Sequence, residues 1–396
     1  MSEDKFSHND IKDENAGKEQ ITDELPTEES IFGISDEKLH DIPYIDHDHL
    51  QPNRKNKFNY YKTLRIIFSI GFLFFTALFI NEVFVTPYRI NKSIERTKNL
   101  YKSDSKIDQV IPTQATSANV SSAVEPNLDT SEVISASIIS DPNRDEKGRL
   151  LQFKDLLKVN EEVKGWITIP DTNIDYVVMQ SSNDDPEYYL THDIEKQELK
   201  AGSLFLDYKS SVENKTQNLV IHGHNMTSSD NMFHYLLQFK KLDYYKERPV
   251  FTFDTIYQPG QWKIFAIIVT NGTSNKEPLF NYTRATFQDA SDFMNFVYQI
   301  RIRSIFHINA VDVNENDQLL TLSTCSYEVK NYRTVIIARK VREGEDASVD
   351  VQSVIENPTP LYPGSWYYRY GGKAPELTET FEEALANGEI CWYTNE

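Results

Sequence analysis

Cys325 ends the segment TLSTC, residues 321–325, and Arg333 follows eight positions later at the head of another apolar stretch. Alternation sets Leu320, Leu322 and Thr324 against Thr321, Ser323 and Cys325, so the cysteine falls where a predicted strand ends. A strand end is a rigid mount that projects a side chain into a cleft, as a nucleophile requires. A thiol attacks as its thiolate, and a nearby imidazolium or guanidinium favours that form. Arg333 could also donate to a carbonyl oxygen that turns anionic in a tetrahedral intermediate; removing one such donor typically costs on the order of 10²-fold or more. The imidazole for this chemistry stands in LVIHGHN, residues 219–225. His222 and His224 lie two apart on one predicted strand and share a face, so spacing alone does not choose between them.

Each residue also has a plainer reading. A lone cysteine is commonly a small buried hydrophobe, yet Thr321, Ser323 and Thr324 are unusual neighbours for an inert core thiol. Arg333 without the cysteine would be an edge-strand surface charge. His222 and His224 have the spacing of a metal pair, but no third ligand stands out. His8, His40, His47 and His49 fall in a polar tail, and His192, His234 and His307 have no thiol nearby in sequence. No metal or cofactor site is expected. With only two cysteines, Cys325 and Cys391, the chain is not a disulfide scaffold.

A sheet has to bring these residues together. Residues 166–179, 202–208, 218–224, 250–257, 262–269, 307–313, 318–325 and 333–341 read as short strands with period two. Helical spacing of Phe153, Leu156, Leu157 and Val163 predicts a helix over residues 150–162, and Phe293, Phe296, Val297 and Ile300 form the stripe of a second. Thr286 and Asp289 mark the start of that second helix. The chain is therefore mainly β, a small barrel or sandwich with one helix at its start and another before the penultimate strand. This body spans residues 144–345. Residues 346–396 form an aromatic, glycine-rich extension in which Thr380 and Glu383 resemble a capping box and Gly388 a helix stop.

The N-terminal third is built differently. Residues 1–50 carry fifteen acidic side chains against four lysines; so polar a segment cannot bury enough surface to order itself, and residues 1–62 read as a disordered tail. Residues 63–85 contain an apolar run, residues 66–80, that with Val83, Phe84 and Val85 reaches membrane-spanning length. Arg54, Lys55, Lys57, Lys62 and Arg65 precede it and favour a cytoplasmic N-terminus, against Arg89, Lys92, Arg96 and Lys98 beyond it. Residues 86–143, rich in Ser, Thr, Ala and Asn from about residue 103, read as an extracellular linker. No basic stripe is present and the net charge is −19, which argues against nucleic-acid partners.

TLSTC, an arginine at the start of the next strand and GHN about a hundred residues upstream together resemble the sortase family, class B in particular. The resemblance covers roughly residues 150–342, through VKGWITIPDTNIDYVVMQ, YYLTHD, KAGSLFLDY, NLVIHGHNM and LLTLSTCSYE. It implies a closed eight-stranded sortase-type β-barrel, with the long helix before the penultimate strand as the class B mark. It assigns the catalytic roles to Cys325, His224 and Arg333, His224 being the histidine that precedes Asn225. His222 departs from the family, where Tyr usually stands. The implied reaction is cleavage after Thr of a C-terminal sorting signal in a secreted protein, through a thioester on Cys325. The acyl group would pass to a peptidoglycan cross-bridge or pilin amine, needing neither ATP nor metal. The signal would resemble Asn-Pro-x-Thr-Asn or Pro-x-Thr-Gly, read by residues around 270–282. The alternatives are a cysteine protease with a His-Gly dyad, which needs helices alternating with a parallel sheet, and a non-enzymatic membrane-tethered binding module.

Overall fold

The computed structural model describes residues 59–105, 141, 143–273 and 277–393. The acidic tail up to residue 58 and residues 106–140 of the expected linker lie outside the described residues. Two units are distinguished, residues 1–69 and 70–396; the barrel and all that packs on it belong to the second.

Helix α1 (Tyr60–Ile80) contains no buried residue. Phe68 and Phe75 are 78% and 69% exposed, and among the described residues this is the one helix long and apolar enough to cross a membrane. A π-helical stretch, Asn81–Val85, leads into α2 (Thr86–Ser105), with the Thr86 N–H donating to the Asn81 carbonyl. Pro87 has no N–H to return to the Val83 carbonyl, so the ladder loosens just before it.

Helix α2 corrects the expected linker over residues 86–105, which are helical. Ile90, Ile94, Thr97 and Tyr101 recur at helical spacing within a strongly charged segment and turn one face to the barrel. Tyr101 stacks on Trp166 with ring centroids 4.3 Å apart. Ser93 donates to Asp193 at 3.1 Å and Arg96 pairs with Glu195 at 2.7 Å. The stripe is four residues wide among Lys, Arg and Asn, too sparse to outweigh the polar composition when read as sequence.

The expected first helix is a 3₁₀ turn, Leu151–Phe153, followed by α3 (Lys154–Val159). It stops short because Val163 already starts β1 (Val163–Thr168). There follow β2 (Asp175–Met179), β3 (Leu204–Leu206), β4 (Asn218–His222), α4 (Leu242–Glu247), β5 (Val250–Thr255), β6 (Gln261–Asn271), α5 (Ala290–Arg301), β7 (Phe306–His307), β8 (Leu319–Ser326) and β9 (Tyr332–Lys340). Eight of these strands close into a barrel in the order β1-β2-β3-β4-β8-β9-β6-β5. The pairs β2–β3 and β4–β8 are parallel. The expected long helix is α5, capped by the Asp289 carboxylate on the Asp292 N–H, with Phe293, Phe296, Val297 and Ile300 all buried.

One predicted strand does not join the barrel. Only Phe306–His307 is extended there, and it pairs with β10 (Ile355–Glu356) from the C-terminal segment. The buried Arg301 guanidinium takes up the Ile308 and Val311 carbonyls instead. Those groups are satisfied without a strand neighbour.

The extension folds onto this frame through α6 (Gly364–Tyr370) and α7 (Phe381–Ala386). Thr380 caps α7 on the Glu383 N–H, and Gly388 follows at φ 73°. Phe381, Ala384 and Trp392 are buried with the main core. Asn295 of α5 accepts the Phe381 N–H at 2.7 Å.

Arg339 of β9 is fully buried and surrounded by the carboxylates of Asp312, Glu345 and Asp317. Burial pushes the Glu345 carboxyl up, but hydrogen bonds from Arg339, Lys263 and the Arg342 amide hold it far below the usual carboxylate range. A depressed folded-state pKa stabilises fully above the unfolded value, about 4.3 for Glu, and that share is lost as pH falls through the folded value. Glu345→Gln is therefore expected to lower stability at neutral pH and to flatten its decline between pH 5 and pH 3, read from urea midpoints. Glu345→Ala, which strips a partner from a buried cation, is expected to cost about 3 kcal/mol.

Candidate active site

Parallel pairing of β4 with β8 decides where the reactive residues meet. The register Asn218↔Leu319 to His222↔Ser323 makes the two strands run side by side and finish on one rim. Strand β9 starts on the same rim, antiparallel to β8, with Arg333 directly opposite Cys325. Residue 224 lies just past the end of β4, level with the end of β8. Cys325, Arg333, His222 and His224 thus line one open cleft of about 770 Å³, together with Glu187, Leu190, Asp207 and Tyr208.

The hydroxyls flanking the thiol turn out to be structural. Thr321 donates to the buried Asn218 amide oxygen at 2.9 Å, and Asn218 in turn donates to the Arg284 and Tyr282 carbonyls. Ser323 meets the Tyr282 hydroxyl at 3.0 Å. Thr324 donates to the Gly223 carbonyl at 2.8 Å. All three are at most 2% exposed. Their polarity, which suggested a reactive surrounding for Cys325, instead pins β8 to β4 and to the segment before α5 in one register.

Cys325 is half-buried and Cys391 exposed, and both are free thiols. The backbone carbonyl of Cys325 accepts from the Asn225 amide at 3.1 Å. Asn225 Oδ1 lies 2.7 Å from His234 Nδ1, whose Nε2 lies 3.3 Å from Asp230. His234, which had no thiol context in the sequence, therefore belongs to the support of the Cys325 backbone. Its nine-residue separation from Asn225 carries no periodic signal, so only the tertiary structure reveals it.

The two candidate histidines are separated by their partners. His224 Nε2 lies 2.9 Å from the Leu190 carbonyl, so Nε2 holds a proton in that contact and Nδ1 is the nitrogen left to exchange one. Gly202 makes that seat possible, because a Cβ there would stand 2.3 Å from the Leu190 oxygen. His222 Nε2 faces the Asp207 carboxylate at 3.1 Å. Burial opposes ionisation of Asp207, but hydrogen bonds from His222 and the Lys209 amide outweigh it and hold the carboxyl below its ordinary range.

The guanidinium of Arg333 rests beside Gly272 at the end of β6, where a Cβ would approach its Cζ to 3.0 Å. Tyr332 next to it is fastened to the extension: its hydroxyl lies 2.6 Å from Ser365 Oγ, which is bound in turn to Glu277. Tyr370 donates to the Glu328 carbonyl at 2.7 Å. The turn between Cys325 and Arg333 is thus braced by α6. Of the residues expected to read a substrate motif, Tyr282 is buried beneath β8, Asn271, Thr273 and Glu277 line a second cavity against α6, and residues 274–276 lie outside the described residues. No group of three or more His, Cys, Asp or Glu side chains suited to a metal ion occurs among the described residues.

Residues 167–341 match the family model described as Sortase domain. The chain is 34% identical over 181 residues to sortase B of Listeria monocytogenes, covering 46% of this chain and 69% of that protein. It is 28% identical over 193 residues to sortase B of Staphylococcus aureus, covering 48% and 75%. Among solved structures, the Staphylococcus aureus sortase B–substrate complex is similar at 29% identity with a TM-score of 0.43, over 48% of this chain and 85% of the other.

Gly272→Ala should displace the Asn331 carbonyl and the Arg333 guanidinium, which a Cβ there would meet at 2.8 Å and 3.0 Å, without opening the core. The expected result is at least a tenfold loss in kcat/KM on any substrate the cleft turns over, with a thermal midpoint within a few degrees of wild type, checked by kinetics beside differential scanning fluorimetry. Ser365→Ala should lower activity several-fold by freeing the braced turn.

Proposed function

The chain belongs to the sortase family, class B, a family of cysteine transpeptidases, and from that premise we propose that Cys325, His224 and Arg333 perform the reaction. The observation that carries this reading is their convergence: a thiol and a guanidinium directly opposite on neighbouring strands, with an imidazole delivered to the same rim by a parallel strand.

The Cys325 thiolate attacks the carbonyl of a Thr in a C-terminal sorting signal. Arg333 donates to the oxygen as it turns anionic, where a preorganised donor acts more strongly than water. His224 gives its proton to the departing amine, leaving a thioester and a neutral imidazole. An amine then attacks the thioester, His224 takes a proton from its nitrogen, and the Cys325 thiolate leaves. One amide has been exchanged for another with no external energy source. The acceptor is a cell-wall cross-bridge or pilin amine. Helix α1, which has no buried residue and is preceded by basic residues, crosses the membrane with its N-terminus inside and holds the barrel outside.

The test is a panel of sorting-signal peptides incubated with the chain in detergent, with and without an acceptor amine, and analysed by mass spectrometry. Expected are cleavage after Thr, transfer to the amine and an acyl adduct on Cys325, all abolished in Cys325→Ala. Arg333→Lys should cut kcat by 10²-fold or thereabouts while leaving the thiol reactive to alkylating agents, since an ammonium lacks the guanidinium's fixed pair of donors. Release of hydrolysis product alone at saturating amine would mark a protease instead.

A further inference from the structure

The proton balance of the second half-reaction asks for a base that His224 does not supply. In water near neutral pH an alkyl amine arrives mostly as an ammonium, its pKa being about 8 for an α-amine and about 10.4 for a lysine. It must lose one proton before its nitrogen has a lone pair to attack with, and a second as the new amide forms. His224 leaves the first half-reaction neutral and can accept one proton. Accepting it restores the imidazolium that faces the thiolate. The other proton is lost either to bulk water before binding, which leaves only the free-amine fraction to react, or to a second acceptor in the same cleft.

His222 fits that role. It is the last residue of β4, two before His224, and lines with it the cleft that holds Cys325. The Asp207 carboxylate, 12% exposed, accepts from its Nε2 at 3.1 Å. That bond fixes the proton on Nε2 and leaves the lone pair on Nδ1, for which the described residues offer no partner. The Phe205 ring packs against the imidazole with centroids 5.4 Å apart and limits its rotation. The charged and titratable groups sharing the cleft are Asp207, Glu187, Tyr208, His224, Cys325 and Arg333. The two carboxylates come from the β2–β3 connection and the end of β3, whereas Arg333 comes from β9. The cleft therefore has a cationic end, where an oxyanion is stabilised, and an acidic end suited to an ammonium ion.

We propose that His222, oriented by Asp207, is the general base that deprotonates the incoming primary ammonium acceptor, with Asp207 and Glu187 as its counter-charges. The proposal rests on the transpeptidase reading above and assigns its acceptor half. The ammonium N–H proton passes to His222 Nδ1. The freed lone pair forms the bond to the thioester carbon while the C–S electrons return to Cys325. The second N–H proton goes to His224, and His222 later yields its proton to water.

The experiment measures the ratio of aminolysis to hydrolysis from one acyl-enzyme, using the full chain in detergent, wild type and His222→Gln, at pH 7. Three acceptors are compared: glycinamide, the ε-amine of an Nα-blocked lysine amide, and hydroxylamine, which is already neutral at this pH. A within-enzyme ratio is insensitive to partial damage to the fold. The expected result is a drop of about tenfold for glycinamide, the fraction of free α-amine at pH 7 being about one tenth. The drop should be larger for lysine, and below twofold for hydroxylamine. Asp207→Asn should reproduce the pattern in weaker form. In His222→Gln the glycinamide ratio should keep rising with pH toward that amine's own pKa. Equal losses for all three acceptors, or no loss for the alkyl amines, would overturn the role of His222 while the Cys325 thioester still forms. Absence of any Cys325-linked acyl species in the wild type overturns the transpeptidase reading and this proposal with it.

Discussion

The parallel contact between β4 and β8 is the constraint on which the site depends. Strands adjacent in sequence meet most simply as antiparallel hairpins, which put the end of one beside the start of the next. Cys325 and Arg333 use that arrangement across the short turn from β8 to β9. A third group from a strand about a hundred residues earlier reaches the same rim only if that strand runs parallel to β8. The cost of a parallel pair is its long crossover, filled here by α4, β5, β6 and α5. A one-residue slip would turn His222, His224 and Cys325 to opposite faces. Buried hydroxyl and amide contacts from Asn218, Thr321, Ser323 and Thr324 make such a slip leave polar groups without partners.

Around this pairing the barrel is buttressed by elements outside the region that defines the family. Helix α2 covers the β1–β2 side through the Tyr101–Trp166 stack. The C-terminal extension covers α5 with Phe381 and Trp392 and then sends α6 to the turn between Cys325 and Arg333. A short turn with the Cys325 thiol on one side and the Arg333 guanidinium on the other gains from such support. Displacements of about 1 Å in reacting groups can cost 10²-fold in rate. The extension therefore reads as part of the frame of the site.

The cleft itself is chemically polarised. Its Arg333 end suits the negative charge that develops on a carbonyl oxygen; its Asp207 and Glu187 end suits a cation. Transpeptidation needs both in sequence: anion stabilisation while the thioester is made and broken, and proton removal from a cationic nucleophile in between. The two histidines at the end of β4 differ in their partners, a neutral carbonyl for His224 and a carboxylate for His222.

Most of the frame was legible in the sequence, because period-two alternation and turn residues are local signals: seven of the eight predicted strand segments supply the barrel, as do the stripe of α5 and the Thr380 cap of α7. The run of residues 307–313 misled because its Ile308 and Val311 carbonyls are satisfied by the buried Arg301, and α2 was missed because its apolar stripe is sparse. Cys325, Arg333 and a histidine at a strand end could be picked by residue type and spacing, and the resemblance singled out His224. Residue type could not tell that the hydroxyls of TLSTC serve the register, that His234 and Asn225 hold the Cys325 backbone, or that His222 faces Asp207. Those facts depend on contacts between residues nine to a hundred positions apart. Such contacts are set by strand order and register, and neither leaves a periodic trace in the chain. The sequence determined which groups are available for chemistry; closure of the barrel decided which of them share a cleft.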